Sequence, residues 1–252
     1  MKVLAAYNIK GGVGKTSTAV NLAWLSAASG SRTLICDLDP QGAATWCFRV
    51  KMKVRGGGKK LVRGRHALAR HVRETDYEGL DLLPADFSYR HLDLLLDSPK
   101  YVRRLTRRIR ELGAGYDYVF LDCAPGISLA SEAVFAVAEA LIVPTIPTTL
   151  SRRTLRQLAR HLRRQPAAVR VLPFYSMVDR RRALHRRICD APDEMPCPML
   201  ATEIPYSSMV EQMSSRREPL CAFRKTSQAA RAYAALWDEL VRRLEEGGAG
   251  RP

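Results

Sequence analysis

A chain of 252 residues, 46% hydrophobic and 26% charged, holds enough apolar material for one sizeable core and need not divide into two domains. Lys and Arg number 41 against 25 Asp and Glu, a formal charge of +16, so the surface suits a polyanion, nucleic acid or an anionic membrane. No apolar run is long enough to span a membrane or serve as a signal peptide, and the six cysteines form neither C-x-x-C nor a zinc spacing, which predicts a reducing, cytoplasmic setting.

In chain order, a strand over Lys2–Tyr7 leads into a glycine-rich loop, Asn8–Lys15. A helix over about Thr16–Ser29 follows, then a buried strand, Arg32–Asp39. Strand, loop, helix and strand make a βαβ unit, which predicts a parallel sheet. Residues 49–73 are basic and glycine-rich and are expected to form a mobile surface insertion, with Gly56-Gly57-Gly58 at its tip. Further strands are predicted at Leu80–Ala85, Tyr116–Gly126, Glu139–Thr145, Val169–Tyr175 and Met199–Pro205. Helices are predicted at about Lys100–Leu112, Ser128–Val137, Ser151–Arg164, Arg180–Cys189, Ser208–Arg216 and Thr226–Glu245. The expectation is one doubly wound, mostly parallel α/β sheet over residues 1–246, helices on both faces, and a disordered tail over 247–252.

The loop reads "YNIKGGVGKTST" from Tyr7. Gly11, Gly12 and Gly14 let backbone N–H groups turn onto phosphate oxygens, and the helix beginning at Thr16 adds its positive end. Lys15 is placed to reach the β- and γ-phosphates of a nucleotide, the Thr16 hydroxyl to bind Mg²⁺, and Ser17 to donate to phosphate. Ile9 stands where the strict G-x-x-x-x-G-K-[ST] pattern has glycine, and a second lysine, Lys10, stands at the loop mouth. Asp122 ends an apolar strand at the position that supports Mg²⁺. Asp37 and Asp39 end another strand; one can serve the metal and the other orient an attacking water, or one can cap the following turn.

Together, "KGGVGKTS", "DLDPQGAAT" and "YDYVFLDCAPGISLASEAVFAVAEALIVP" resemble the ParA/MinD family of deviant Walker-A P-loop ATPases, nearer to its ParA partition branch. "IPYSSMVEQMSSRREPLCAFRKTSQAARAYAALWDEL" follows the same pattern, so the likeness covers nearly the whole chain. The resemblance implies an ATP-sandwich homodimer in which Lys10 reaches the partner's nucleotide. It gives Asp39 the water-positioning role, Asp37 and Asp122 the magnesium roles, and Gly11 to Ser17, Val13 included, the phosphate-binding role. Tyr175, Met177, Pro205 and Tyr206 fall where relatives hold adenine, although many have Arg in place of Tyr206. It further implies non-specific DNA binding by basic residues of the carboxy-terminal region, here Arg216, Arg217, Arg224 and Lys225. A partner protein would stimulate slow hydrolysis.

Plotted at 100° per residue, the Ser151–Arg164 helix carries Leu155, Leu158 and Leu162 on one side and Arg152, Arg156, Arg160 and Arg163 on the other. That stripe is a second candidate for DNA or for an acidic partner. Further clusters lie at Arg180–Arg187 and at Arg103–Arg110. A nucleoid-associated positioning ATPase is therefore expected, its cargo a plasmid, a chromosome origin or a protein assembly. The alternative is a MinD-like ATPase held on a membrane. The last helix argues against it, because Asp238, Glu239, Glu245 and Glu246 do not suit an anionic bilayer. An iron–sulfur ATPase of the same family would need a cysteine pair aimed at the dimer axis, and no pair stands out.

Overall fold

Eight strands form one sheet in the order β3-β4-β2-β5-β1-β6-β7-β8 in a computed structural model that describes residues 1–64, 68–165, 169–191 and 194–246. The strands are β1 (Lys2–Ala6), β2 (Thr33–Asp37), β3 (Arg73–Glu74), β4 (Leu80–Leu83), β5 (Tyr118–Asp122), β6 (Ala140–Thr145), β7 (Arg170–Val178) and β8 (Glu203–Pro205). All pairings are parallel except β3 on β4. The four central strands are short Val/Ile/Leu runs buried on both faces, as parallel strands must be when helices cover the sheet.

The helices fall into two layers. On one face, α1 (Lys15–Ala28), α2 (Ala43–Cys47), α9 (Ser208–Arg216), α10 (Leu220–Phe223) and α11 (Gln228–Glu246) pack around Leu22, Phe120, Phe174 and Leu236. On the other, α3 (Gly57–Arg63), α4 (Leu92–Leu95), α5 (Pro99–Gly113), α6 (Leu129–Val137) and α7 (Thr149–Leu162) pack around Leu34, Leu61, Val119 and Leu141. The remaining helix, α8 (Ala183–Cys189), joins Tyr175 and Val178 in a small satellite cluster.

In its described part, residues 49–64 and 68–73, the basic connection departs from the mobile insertion that its composition suggests. Gly56, in the left-handed region at φ 89°, starts α3, and Leu61 and Val62 are fully buried in the core. Gly57 also has positive φ, and a Cβ there would lie 2.2 Å from the Ser88 hydroxyl. The glycines thus serve close packing and a helix start. Truncating Leu61 to Ala should cost about 2–5 kcal/mol, typical of a filled core position. The expected tail, 247–252, lies outside the described residues.

Candidate nucleotide site

Neighbouring strand ends build the site. β1 lies between β5 and β6, and β5 lies between β1 and β2, so Ala6, Asp122 and Asp37 end level with one another across three adjacent strands. The loop leaving β1 therefore emerges beside both acids, at the carboxyl edge where open α/β sheets take ligands. Asn8 anchors the loop start: its Nδ2 donates to the Pro144 carbonyl at 2.8 Å and its Oδ1 accepts from the Lys10 N–H at 2.9 Å. Gly12 (φ 69°) and Gly14 (φ 93°) turn the chain through left-handed conformations that a side chain would strain. Gly14 is also the residue from which α1 starts, and Ser176 Oγ on β7 ties down the adjacent Val13 carbonyl at 2.8 Å.

Lys15 is buried and its Nζ donates to the Lys10 carbonyl at 3.3 Å. Burial lowers its proton affinity, and the nearby Asp122, Asp39 and Cys123 act in the opposite direction. Thr16 and Ser17 are half-buried at the rim. The backbone of Lys10 is thus fixed from both sides, while its ammonium, half-buried at the mouth, has no hydrogen bond or ion pair among the described residues.

The three acids differ. Asp122 is fully buried, and neither carboxylate oxygen has a hydrogen bond of ordinary geometry, although the Thr16 hydroxyl lies close enough to favour its ionised form. Burial, then the Asp37 charge, pushes its pKa well above the usual carboxylate range. An orphaned buried carboxylate beside a lysine and a threonine hydroxyl fits a divalent cation, which would supply the missing charge. Asp37 is also fully buried, which raises its pKa to about 6, but both of its oxygens are occupied. Oδ2 accepts from the Thr45 N–H (2.8 Å) and hydroxyl (2.6 Å), and Oδ1 from the Asp39 N–H (3.2 Å). Asp37 can reach a metal only by sharing those bonds. Asp39 has left the strand, which ends at Asp37, and is half-buried. Its Oδ1 accepts from the Gln41 N–H at 2.9 Å, so it caps its turn and keeps Oδ2 without a hydrogen bond among the described residues.

Among the described residues no three His, Cys, Asp or Glu side chains form a preformed metal cage. Mg²⁺ needs no such cage, since it takes one or two protein ligands and completes its shell with phosphate and water.

The four suggested adenine contacts separate. Pro205 and Tyr206 line a cavity of about 340 Å³ with Val178, Asp179 and Ala232. Tyr206 is 56% exposed, and its hydroxyl donates to Glu211 at 2.9 Å, which holds the ring in place. Met177 sits on a β-bulge of β7 at φ 53°, and its Cε lies 3.7 Å from where a Gly14 Cβ would be. Tyr175 does not join them. It is buried against Ile188 and Cys189, and its hydroxyl donates to the Ile188 carbonyl at 3.0 Å, so it is a core residue with no edge for a base. Sequence reasoning missed Asn8, Thr45 and Ser176. These small polar residues carry no motif of their own, and only their buried hydrogen bonds reveal them.

The basic candidates are likewise mixed. Arg156, Arg160, Arg216, Arg224 and Lys225 are exposed. Arg152 is paired with Glu194, which removes it from the free stripe. Arg217 is half-buried in the left-handed region at φ 57°, with its guanidinium over the Trp46 ring.

A protein-family model described as an AAA domain matches residues 1–169. The chromosome-partitioning ATPase Soj of Thermus thermophilus is 31% identical over 251 residues, covering 96% of this chain and 96% of its own. The chromosome partitioning protein ParA of Caulobacter vibrioides is 28% identical over 256 residues, covering 96% and 95%. Among solved structures, a cobyrinic acid a,c-diamide synthase of Mycobacterium smegmatis with bound ATP analogue and magnesium superposes with a TM-score of 0.82. It is 27% identical and the match covers 98% of this chain and 97% of that one.

Proposed function

The chain belongs to the ParA/MinD family of P-loop ATPases, and from that premise we propose that it is a DNA-associated positioning ATPase that switches between nucleotide states. ATP with Mg²⁺ is its nucleotide. The loop N–H groups from Gly11 to Ser17 hold the phosphates, Lys15 neutralises them, and Pro205, Tyr206 and Met177 border the base. Thr16 and Asp122 would hold magnesium, with Asp37 behind them, and a divalent cation there would supply positive charge against the nucleotide's phosphates.

Asp39 is the water-positioning group. Its free Oδ2 accepts the proton of the attacking water as the water oxygen bonds to the γ-phosphorus and the bond to the β–γ bridging oxygen breaks. Asp39 is already fixed by its own turn, so it orients the water without first paying to order itself.

One observation carries this reading: the Lys10 backbone is pinned by Asn8 and Lys15 while its ammonium, at the mouth, has no partner among the described residues. A cation held there suits a second nucleotide presented by a second copy, where it acts as an arginine finger does. Two nucleotides facing each other need cations between them, so the same lysine makes the dimer depend on ATP. Arg216, Arg224 and Lys225, then Arg156 and Arg160, contact the DNA phosphate backbone without reading bases. A partner protein that speeds hydrolysis would release the DNA. Sedimentation of the full chain with a non-hydrolysable ATP analogue, ADP or no nucleotide tests the switch. A dimer with the analogue alone supports it, and one indifferent to nucleotide rejects it.

A further inference from the structure

The most basic connection in the chain is docked on a basic helix. Arg104 Nη2 donates to the Gly64 carbonyl at 3.0 Å, and Arg108 donates to the same oxygen. Arg63 pairs with Asp97 at 3.0 Å and lies 4.3 Å from the centre of the Tyr101 ring. These contacts and the buried Leu61 and Val62 hold α3 in place, so Lys59 and Lys60 are presented outward from a fixed helix.

Beside it, α5 buries Leu105, Ile109 and Leu112 and exposes Lys100, Arg103, Arg107 and Arg110. At 100° per residue those four basic residues fall within an arc of about 80°, in a row roughly 15 Å long. The two basic surfaces meet. Burial, then the positive charges of Arg73, Lys60 and Arg108 from β3, α3 and α5, lower the pKa of His71. Lys59, Lys60, Lys100 and Arg103 have no ion pair among the described residues. Arg63 and Arg107 have acidic partners in Asp97 and Glu111, but the four cations without ion pairs repel one another, and a polyanion relieves that repulsion.

We propose that α3 and α5 form a second surface for the phosphate backbone of duplex DNA. It lies on the opposite face of the sheet from Arg216, Arg224 and Lys225 and rests on the DNA-binding reading above. The exposed positions of α5 hold no large apolar side chain, which favours a phosphate backbone over insertion into a bilayer. With basic surfaces on both faces, one protomer can lie between two duplex segments.

The test compares Lys60→Glu/Arg103→Glu with Arg32→Glu/Arg242→Glu, a pair with the same charge change at exposed sites elsewhere. Full-length protein with the non-hydrolysable ATP analogue and Mg²⁺ is titrated with duplex DNA across salt. The α3–α5 pair should weaken binding about tenfold and reduce the slope of log affinity against log salt by about 2, close to 0.9 per phosphate contact. The control pair should leave the slope unchanged. Lys60→Gln/Arg103→Gln should change it in the same direction, so a folding defect in the Glu variant cannot mask the result.

An α3–α5 pair that behaves like its control overturns the proposal. So does loss of binding to phosphatidylglycerol vesicles with the DNA slope intact. If Arg216→Glu/Arg224→Glu/Lys225→Glu alone abolishes binding, the general reading survives and the second surface fails. If the wild type binds no duplex in any nucleotide state, the general reading fails as well.

Discussion

The guanidinium of Arg217 lies 4.0 Å from the centre of the Trp46 ring, and its Nε donates to the Trp46 carbonyl at 3.1 Å. The Trp46 indole N–H donates in turn to the Ser214 carbonyl at 2.7 Å. Trp46 follows Thr45, which holds Asp37, so a buried acid of the nucleotide site and a residue of the basic carboxy-terminal region are connected through α2. A cation–π contact of this kind contributes about 0.5–2 kcal/mol. Trp46→Ala should therefore free Arg217 from the nucleotide site. We expect nucleotide affinity to stay within a few-fold of wild type, while the ratio of DNA affinities with ATP analogue and with ADP falls several-fold. Fluorescence anisotropy with a labelled duplex reads both.

The two loop lysines should separate cleanly. Lys15→Ala removes the buried ammonium beside the phosphates and should abolish nucleotide binding by the monomer. Lys10→Ala should leave that binding within a few-fold but eliminate the ATP-dependent dimer. It should also cut partner-stimulated turnover by about 1,000-fold, the lower end for a cation supplied in trans. Equilibrium nucleotide titration and steady-state phosphate release distinguish the two.

Thr45→Val keeps the volume but removes the hydroxyl that Asp37 and the Ala85 N–H share. A buried donor loses its acceptor and a buried carboxylate loses a donor, which should cost about 1–3 kcal/mol in urea unfolding. Asp37 should then titrate higher still, because the bond that favours its ionised form is gone.

Glu239 on α11 predicts an acid limb of stability. Its buried carboxylate accepts from the Ala201 N–H (2.8 Å), the Thr202 N–H (2.9 Å) and the Thr202 hydroxyl (2.7 Å). Burial alone would raise its pKa, but these bonds outweigh it and hold the pKa below the ordinary 4.5. A depressed folded pKa contributes stability that is present above about 4.5 and is lost as pH falls through the folded value. Glu239→Gln should be destabilised by about 1–3 kcal/mol at pH 7 and should unfold with a shallower pH dependence below pH 4.5. Thermal unfolding from pH 3 to 7 measures both.

Much of this was legible in the sequence, for definite reasons. Gly12, Gly14, Lys15 and Thr16 announce a phosphate loop because their spacing is dictated by backbone turning, and Asp122 is visible because it ends an unbroken apolar strand. Asp39 left its strand as Pro40 suggested. What was illegible depends on tertiary contacts. Composition made residues 49–73 look like loose surface, yet Leu61 and Val62 find the core and Gly57 finds Ser88. Glu239 reads as one more acid on an exposed helix until the Ala201–Thr202 backbone arrives beneath it. Tyr175 stands one strand position away from useful neighbours, and only the packing of α8 shows that it points into the core. Arg152 and Arg217 count as free positive charge until Glu194 and Trp46 are found against them.

DNA binding by the full-length wild-type chain, titrated with ATP analogue, ADP and no nucleotide across a range of salt, tests the central claim most directly. The account predicts tight binding with the analogue alone, lost steeply as salt rises and indifferent to DNA sequence. Equal binding in all three nucleotide states, or binding insensitive to salt, would contradict it.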